Sequence, residues 1–482
     1  MNKSMVRYIL GLILLFEAAF MVLPAAVGLY LHDSTCIWFL ISAAVTGLLG
    51  FLMRLPKPRS TAMYAKDGFV IVALSWILLS LFGAAPFTLS GEIPSYLDAV
   101  FETASGFSTT GASILTDVEA LSKCMLFWRS FTHWIGGMGV LVFVLAILPM
   151  AGGQSIHLLR AESPGPSVSK MVPKMRDSAM ILYAIYFGMT VIEIVLYIIG
   201  GMPLFDSVCL AFGTAGTGGF AVKNSGLNGY STYLQGVTTV FMALFGVNFS
   251  VYYFILRKKW NLVWQNSELK CYVAIILIAI TLIACNTYLA GGYFDTPFDA
   301  FHHSAFTVSS VITTTGFGTA DFNTFTELSR IILVFLMFIG ASAGSTGGGL
   351  KVSRVIILFK SAYNEIRRAI HPDTVQVLTI DGKRVPKETV QGVCTYFVIF
   401  AGLTAFSILL VSLDNFDPST TVTSVIATIN NIGPGLGMVG TTGNYAAFSP
   451  LSKIVLTLDM LFGRLEILPM LILLMPSTWR KR

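Results

Sequence analysis

At 482 residues, with 55% apolar letters, 12% charged ones and a formal net charge of +6, the chain is too apolar and too sparsely charged for a soluble domain of its size. The composition points to a polytopic membrane protein, and the modest net charge gives no ground for a nucleic-acid partner. Six cysteines lie scattered through apolar segments with no C-x-x-C pair and no histidine at ligand spacing, so they read as packing residues.

A membrane-crossing helix needs about 20 mostly apolar residues. Ten runs qualify: 5–31, 36–53, 68–90, 125–150, 178–201, 233–256, 270–291, 328–358, 389–413 and 450–475. The first follows a basic start, as in a signal peptide, but its apolar stretch is too long for an h-region. Ten crossings put both termini on one side. The eighth run is overlong and contains "GASAGSTGGG" from Gly340, five glycines in ten residues, each costing a helix about 1 kcal/mol against alanine. It is expected to break there. Arg464 is expected near the middle of the last helix, where an unpaired charge is costly and Asp459 or Glu466 offers a structural partner.

Lys and Arg gather in alternate connections: Lys3 and Arg7; Arg54 to Lys66; Arg160, Lys170, Lys174 and Arg176; Arg257 to Lys259 with Lys270; Lys351 to Lys387; and 480–482. These hold 25 of the 31 basic residues. The opposite connections carry Asp33, Glu92, Asp98, Asp117, Glu119, Asp206, Asp295, Asp299, Asp321, Asp414 and Asp417. Cytoplasmic loops carry the excess of Lys and Arg, so both termini are expected in the cytoplasm.

The acidic-side connections contain a repeat. "DAVFETASGFSTTGAS" from Asp98, "DSVCLAFGTAGTGGFA" from Asp206, "DAFHHSAFTVSSVITTTGFG" from Asp299 and "PSTTVTSVIATINNIGPG" from Pro418 align on Gly111, Gly219, Gly316 and Gly433, which are 108, 97 and 117 residues apart. In the first two copies the glycine follows the aspartate by 13 residues and in the third by 17, about one helical turn more. The fourth lacks an aspartate at that place. Each segment is too short to span and suits a re-entrant helix followed by an irregular strand. The fold class is therefore all-α and polytopic: four helix, pore-helix, helix repeats about one axis with pseudo-fourfold symmetry, plus two extra N-terminal helices. The expected boundaries are 1–62 for the N-terminal pair, then 63–155, 156–262, 263–370 and 371–482 for the repeats.

Irregular backbone at membrane depth survives only where it is buried or lines a wet cavity. Four such strands on one axis can present a ring of carbonyls able to replace a cation's hydration shell. Glycine permits the positive φ this needs, threonine hydroxyls can add oxygen ligands, and each half-helix aims its negative C-terminal end at the axis. The candidate filter residues are Thr109, Thr110 and Gly111; Thr217, Gly218 and Gly219; Thr314, Thr315 and Gly316; and Asn431, Ile432 and Gly433. A coupled symporter would call for a carboxylate on this route, and the four strands contain none; Glu17 and Glu193 lie in helices away from it. No nucleophile-and-base set or metal triad marks an intramembrane enzyme, and His302 and His303 read as support for the third half-helix.

These strands, with "WIGGMG" from Trp134, "GASAGSTGGGLK" from Gly340 and "FGRLE" from Phe462, resemble the Trk/Ktr/HKT superfamily of potassium transporters, most of all its TrkH branch, over nearly the whole chain. The resemblance implies potassium uptake across a bacterial inner membrane, with K+ as substrate, no covalently bound cofactor and no enzymatic activity. Glycine at all four filter positions goes with potassium selectivity in that family. It further implies an intramembrane gating loop at Gly344, Ser345, Thr346, Gly347, Gly348 and Gly349, with Arg464 as a barrier below the filter. A Walker loop is ruled out because Gly349 is followed by Leu350 and Lys351. The family also implies a homodimer in membrane lipid, and a TrkA-type nucleotide-binding subunit docked on the basic face; Lys360 to Glu388 is the segment expected to receive it. The alternative is a proton- or sodium-coupled potassium symporter.

Overall fold

The computed structural model describes residues 1–58, 60, 63–139, 175–290, 293–373 and 376–479. The basic cluster at Arg160, Lys170 and Lys174, the second half of the run 125–150, and residues 480–482 lie outside them. Among the described residues the chain is helical apart from one two-stranded hairpin, Thr379–Ile380 with Lys383–Arg384.

Lys3–Tyr30 and Cys36–Arg54 form an antiparallel pair. Gly11 and Gly50 let the two backbones touch, since a Cβ on either would sit 2.7 Å from the other's carbonyl oxygen. Small residues at a helix crossing are how membrane helices gain close packing. The pair lies over the first repeat. In that repeat 61% of the first helix's apolar window is buried, against 22%, 28% and 22% for its counterparts Met180–Ile199, Ser267–Leu289 and Lys387–Asp414. Those three turn most of their surface outward, with exposed residues such as Phe187, Ile278 and Val398.

The short helices of the four repeats are Tyr96–Phe107, Leu204–Gly216, Pro297–Ile312 and Pro418–Ile429, of 12, 13, 16 and 12 residues. The third carries the extra turn that its longer spacing announced. Asp98, Asp206 and Asp299 all stand at the third helical position, where a carboxylate meets the positive end of the helix. The fourth repeat does this differently: Asp417 is the N-cap itself, accepting from the Thr420 amide (2.9 Å) and hydroxyl (2.6 Å).

The expected break in the eighth apolar run is present, and among the described residues further runs are not single unbroken helices. Six described helices are long and apolar enough to cross, seven if a bent pair counts as one. The breaks fall on the inner, second helices of the second, third and fourth repeats. The first is described only over Lys123–Gly137. The second bends by 91° between Thr232–Phe245 and Phe249–Leu256. The third breaks between Glu327–Ile339 and Val352–Ile370. The fourth breaks between Pro450–Arg464 and Leu468–Leu474, with Glu466 and Ile467 at positive φ. Arg464 therefore ends a helix instead of lying mid-helix. The sequence marked only the glycine-rich break because apolar periodicity runs through the others.

Two sets of loop contacts fix which connections share a face. The N-terminus meets Asp67 (3.1 Å), Arg7 meets Pro56 (3.2 Å), and Lys66 meets Ser477 (2.9 Å). On the other face the loops following the four strands bond in a circle: Val118 to Asn224, Leu227 to Gly318, Asn323 to Gly437, and Tyr445 to Ser113. Asn2 and Ser477 thus sit on the face opposite that circle.

The Asp417 cap makes a stability prediction. Hydrogen bonds from Ser419 and Thr420 hold its carboxyl down to about 2. A depressed carboxyl contributes stability above its unfolded value near 3.9 and loses it as pH falls through the folded one. Asp417→Ala should cost about 1 kcal/mol and lower the thermal midpoint of the purified protein at neutral pH, with the difference closing as the pH approaches about 2. An unchanged neutral midpoint would refute the cap.

Candidate functional site

All four short helices end alike. A residue at each end takes left-handed φ: Thr109 (57°), Thr314 (59°) and Asn431 (55°), each just after the C-cap, and Thr217 (55°), itself the C-cap. The next amide reaches back to the last turn, Thr110 to Ser105 (2.9 Å), Gly218 to Gly213, Thr315 to Ser310 and Ile432 to Ala427 (2.8 Å each). This is a Schellman closure, usually built on glycine; asparagine tolerates it, whereas threonine adopts it at a cost of about 1–2 kcal/mol. One residue further the chain turns left-handed again at Gly111, Gly219, Gly316 and Gly433, with φ of 79°, 76°, 86° and 91°.

These glycines close a ring. A Cβ on Gly111 would lie 2.0 Å from the Gly218 carbonyl oxygen, on Gly219 2.0 Å from Thr315, on Gly316 2.2 Å from Ile432, and on Gly433 2.6 Å from Thr110. Each contact points to the residue before the next glycine, and the fourth returns to the first. The strands are thus in mutual backbone contact in the order one, two, three, four, at equivalent positions, with no room for a side chain between them.

The threonine hydroxyls already have protein partners. Thr110 pairs with Ser108 (2.7 Å) and receives the Asn431 amide (2.9 Å), Thr315 pairs with Thr313 (2.8 Å), Thr217 donates to Gly216 (2.6 Å), and Thr314 accepts from the Gly348 amide (2.6 Å). What the strands hold in common is backbone carbonyl oxygen. Among the described residues no group of three His, Cys, Asp or Glu could hold a metal ion.

Supporting residues that the sequence reading passed over stand behind the ring. Glu102 and Arg129 form a buried pair (2.6 Å). Glu102 also accepts from the Ser113 hydroxyl and Ile114 amide (2.9 Å each), while Arg129 donates to the Ala221 carbonyl (3.0 Å) and lies 3.6 Å over the Phe220 ring. One ion pair thereby ties the exit of the first strand to that of the second. Removing one partner of such a pair costs about 3–5 kcal/mol. His133 bonds the Gly106 carbonyl (2.9 Å) and fills the space where a Gly218 side chain would go; the Tyr445 hydroxyl donates to the Gly433 carbonyl (2.7 Å). The available signal was an acid and an arginine within apolar segments, a pattern that is rare unless the charges are paired.

The glycine-rich segment lies against the inner end of the ring. Gly348 bonds Thr314, and a Cβ there would meet the Asn430 carbonyl at 2.3 Å. Thr346 donates to Phe245 (3.3 Å), Ser345 to Ser342 (2.7 Å), and Lys351 folds back onto the Gly347 carbonyl. Gly349 packs on Gly340 at backbone distance. The Gly344 carbonyl accepts from the Phe249 amide (3.0 Å) and Ser342 donates to Gly246 (3.1 Å), so the segment satisfies groups freed by the bend in the second inner helix. Arg464 does not pair with Asp459 or Glu466. It donates to Thr346 O (2.9 Å), Gly137 O (2.8 Å), Gly136 O and Thr109 Oγ1 (3.3 Å), because its helix ends there and delivers it beneath the strands. Glu466 instead pairs with Arg354, and Asp459 accepts from Ser407 (2.8 Å). Elsewhere, Glu193 accepts from Tyr197 (2.8 Å), His302 meets Gln235 (2.8 Å) and His303 meets Thr319 (3.0 Å), all apart from the ring.

The TrkH family, described as a cation transport protein, matches residues 32–481. The Trk system potassium uptake protein TrkH of Salmonella typhimurium is 32% identical over the whole of both chains. Its counterpart in Vibrio parahaemolyticus is 33% identical over 99% of each, and the Trk system potassium uptake protein TrkG of Escherichia coli is 31% identical over the whole of both. The crystal structure of the potassium transporter TrkH from Vibrio parahaemolyticus superposes over the full length of both chains with a TM-score of 0.89 at 31% identity.

Proposed function

The chain belongs to the TrkH family of cation transport proteins, and from that membership we propose that it takes up potassium, with the four-strand ring as its selectivity filter. The observation that carries this reading is the closed circuit of glycine-to-carbonyl contacts from Gly111 through Gly219, Gly316 and Gly433 back to Thr110. Backbone oxygens held at fixed separation can replace the water around a weakly hydrated cation, and the negative ends of four half-helices favour positive charge at their focus. The acidic face lies outside and the Lys- and Arg-rich face is cytoplasmic. A carboxylate for coupling is missing from the strands, which favours a gated conduit over a symporter. Gly316→Ser places an atom against Ile432 and strains a φ of 86°. In a host lacking its own potassium transport, that variant should lose preference for potassium over sodium by roughly tenfold, equivalent to about 1.4 kcal/mol. Full retention of preference in an inserted variant would sink the filter assignment.

The segment Gly344 to Gly349 and Arg464 act in this reading as the gate. Both occupy the region under the strands, and Arg464 holds the segment by the Thr346 carbonyl. A unit charge about 8 Å from an ion at an effective dielectric near 20 opposes it by about 2 kcal/mol, about thirtyfold in rate. Arg464→Ala and deletion of Ala343 to Gly348 should each raise flux in liposomes, with reversal still at the potassium equilibrium potential. Flux unchanged or lowered in well-folded protein counts against the gate.

A soluble nucleotide-binding partner would act through Lys360 to Glu388. Support comes from Val352–Ile370, which starts at the end of the glycine-rich segment, exposes Phe359, Tyr363 and Ile366, and carries Arg367 and Arg368 in its last turn. Arg367→Glu with Arg368→Glu should abolish co-purification with such a subunit while leaving basal uptake intact; undiminished binding rules this surface out.

A further inference from the structure

Between the bent second inner helix, which ends at Leu256, and the helix Ser267–Leu289, the chain makes a ten-residue connection, 257–266. It opens with Arg257, Lys258 and Lys259 and continues with Trp260, Leu262 and Trp264. Lys258 adopts φ 55°, and the amides of Lys258 and Lys259 bond back to Ile255 and Phe254 (2.9 Å each), so the chain leaves the helix in a tight cap. The short helix Trp260–Gln265 that follows buries none of its residues, and Trp264 is 71%, Leu256 68% and Trp260 53% exposed.

A connection this short between two membrane helices stays at the membrane surface. Tryptophan and leucine left in water there would be costly, whereas the headgroup layer accepts them. A cleft of about 360 Å³ opens among Lys258, Lys259, Trp260, Asn261 and Leu262. Neither lysine ammonium has an acidic partner among the described residues. The nearby carboxylate, Glu268, is engaged by the Ala343 amide (2.7 Å).

We propose that residues 257–264 form a seat for the phosphate headgroup of an anionic phospholipid. The two lysines meet the phosphate charge, and Trp260, Leu262 and Trp264 enter the acyl boundary. A free phosphate ion would leave the apolar side chains in water, and a zwitterionic lipid would leave the cations unmatched. An anionic lipid satisfies both. The helices on either side each bond the glycine-rich segment, through Phe249 to Gly344 (3.0 Å) and Glu268 to Ala343. Any effect of the lipid on flux rests on the gate reading above; the binding itself does not.

The test uses the full chain in lipid nanodiscs containing increasing fractions of brominated phosphatidylglycerol or brominated phosphatidylcholine, read by tryptophan fluorescence. Trp260 is one of seven tryptophans, so its quenching is taken as the difference between wild type and Trp260→Phe. Phosphatidylglycerol should quench it at a several-fold lower mole fraction than phosphatidylcholine. Lys258→Gln with Lys259→Gln should erase that preference, and Lys258→Arg with Lys259→Arg should keep it. Equal quenching by both lipids in wild type overturns the seat. So does loss of the preference in millimolar inorganic phosphate, which would mark a free-anion site, or absence of quenching by either lipid, which would mean that protein covers Trp260.

Discussion

Backbone that is neither helix nor closed barrel has nowhere to put its amides and carbonyls inside a membrane, and this protein places four such stretches side by side. Each stretch solves part of the problem by itself, through the bonds from Thr110, Gly218, Thr315 and Ile432 back into the preceding helix. The packing of the stretches against one another is collective. The glycine of one strand abuts the carbonyl of the next, and the outer loops bond in the same cyclic order. A defect in any one repeat therefore reaches its neighbours.

The same constraint explains the broken inner helices. A helix that ends or bends at this depth frees backbone groups, and those groups become the binding surface for whatever lies beneath the ring. Gly136 and Gly137 offer carbonyls to Arg464, and Gly246 and Phe249 bond the glycine-rich segment. Five backbone or hydroxyl contacts around Arg464 and Thr346 tie together the first, third and fourth repeats and reach the second through Phe245. The ring and the proposed gate are thus parts of one hydrogen-bonded unit, held from behind by the Glu102–Arg129 pair. Strain is present within it. Three threonines and Ile467 occupy left-handed φ, a conformation such residues avoid unless their surroundings impose it.

Much of this was written in the sequence. Long apolar runs, charge asymmetry and a fourfold repeat of Thr-Gly segments establish a polytopic helical protein with four equivalent units, because membrane thickness and the cost of charge act residue by residue along the chain. The 17-residue spacing before Gly316 even announces the 16-residue third half-helix. The missing fourth aspartate is likewise a local matter, replaced by the cap at Asp417.

Tertiary structure alone decided the rest. The left-handed threonines carry no local signal, since their conformation is set by helix closure and ring contacts that lie elsewhere in the chain. The bend at Gly246 to Asn248 and the break at Glu466 and Ile467 hide inside apolar periodicity. Arg464 could have paired with either neighbouring acid; it bonds carbonyls from residues 118 and more positions away instead, because only the assembled repeats bring unsatisfied oxygens to that point. Composition and periodicity report what each residue needs from its surroundings, whereas which distant group meets that need depends on how the four units close around one axis.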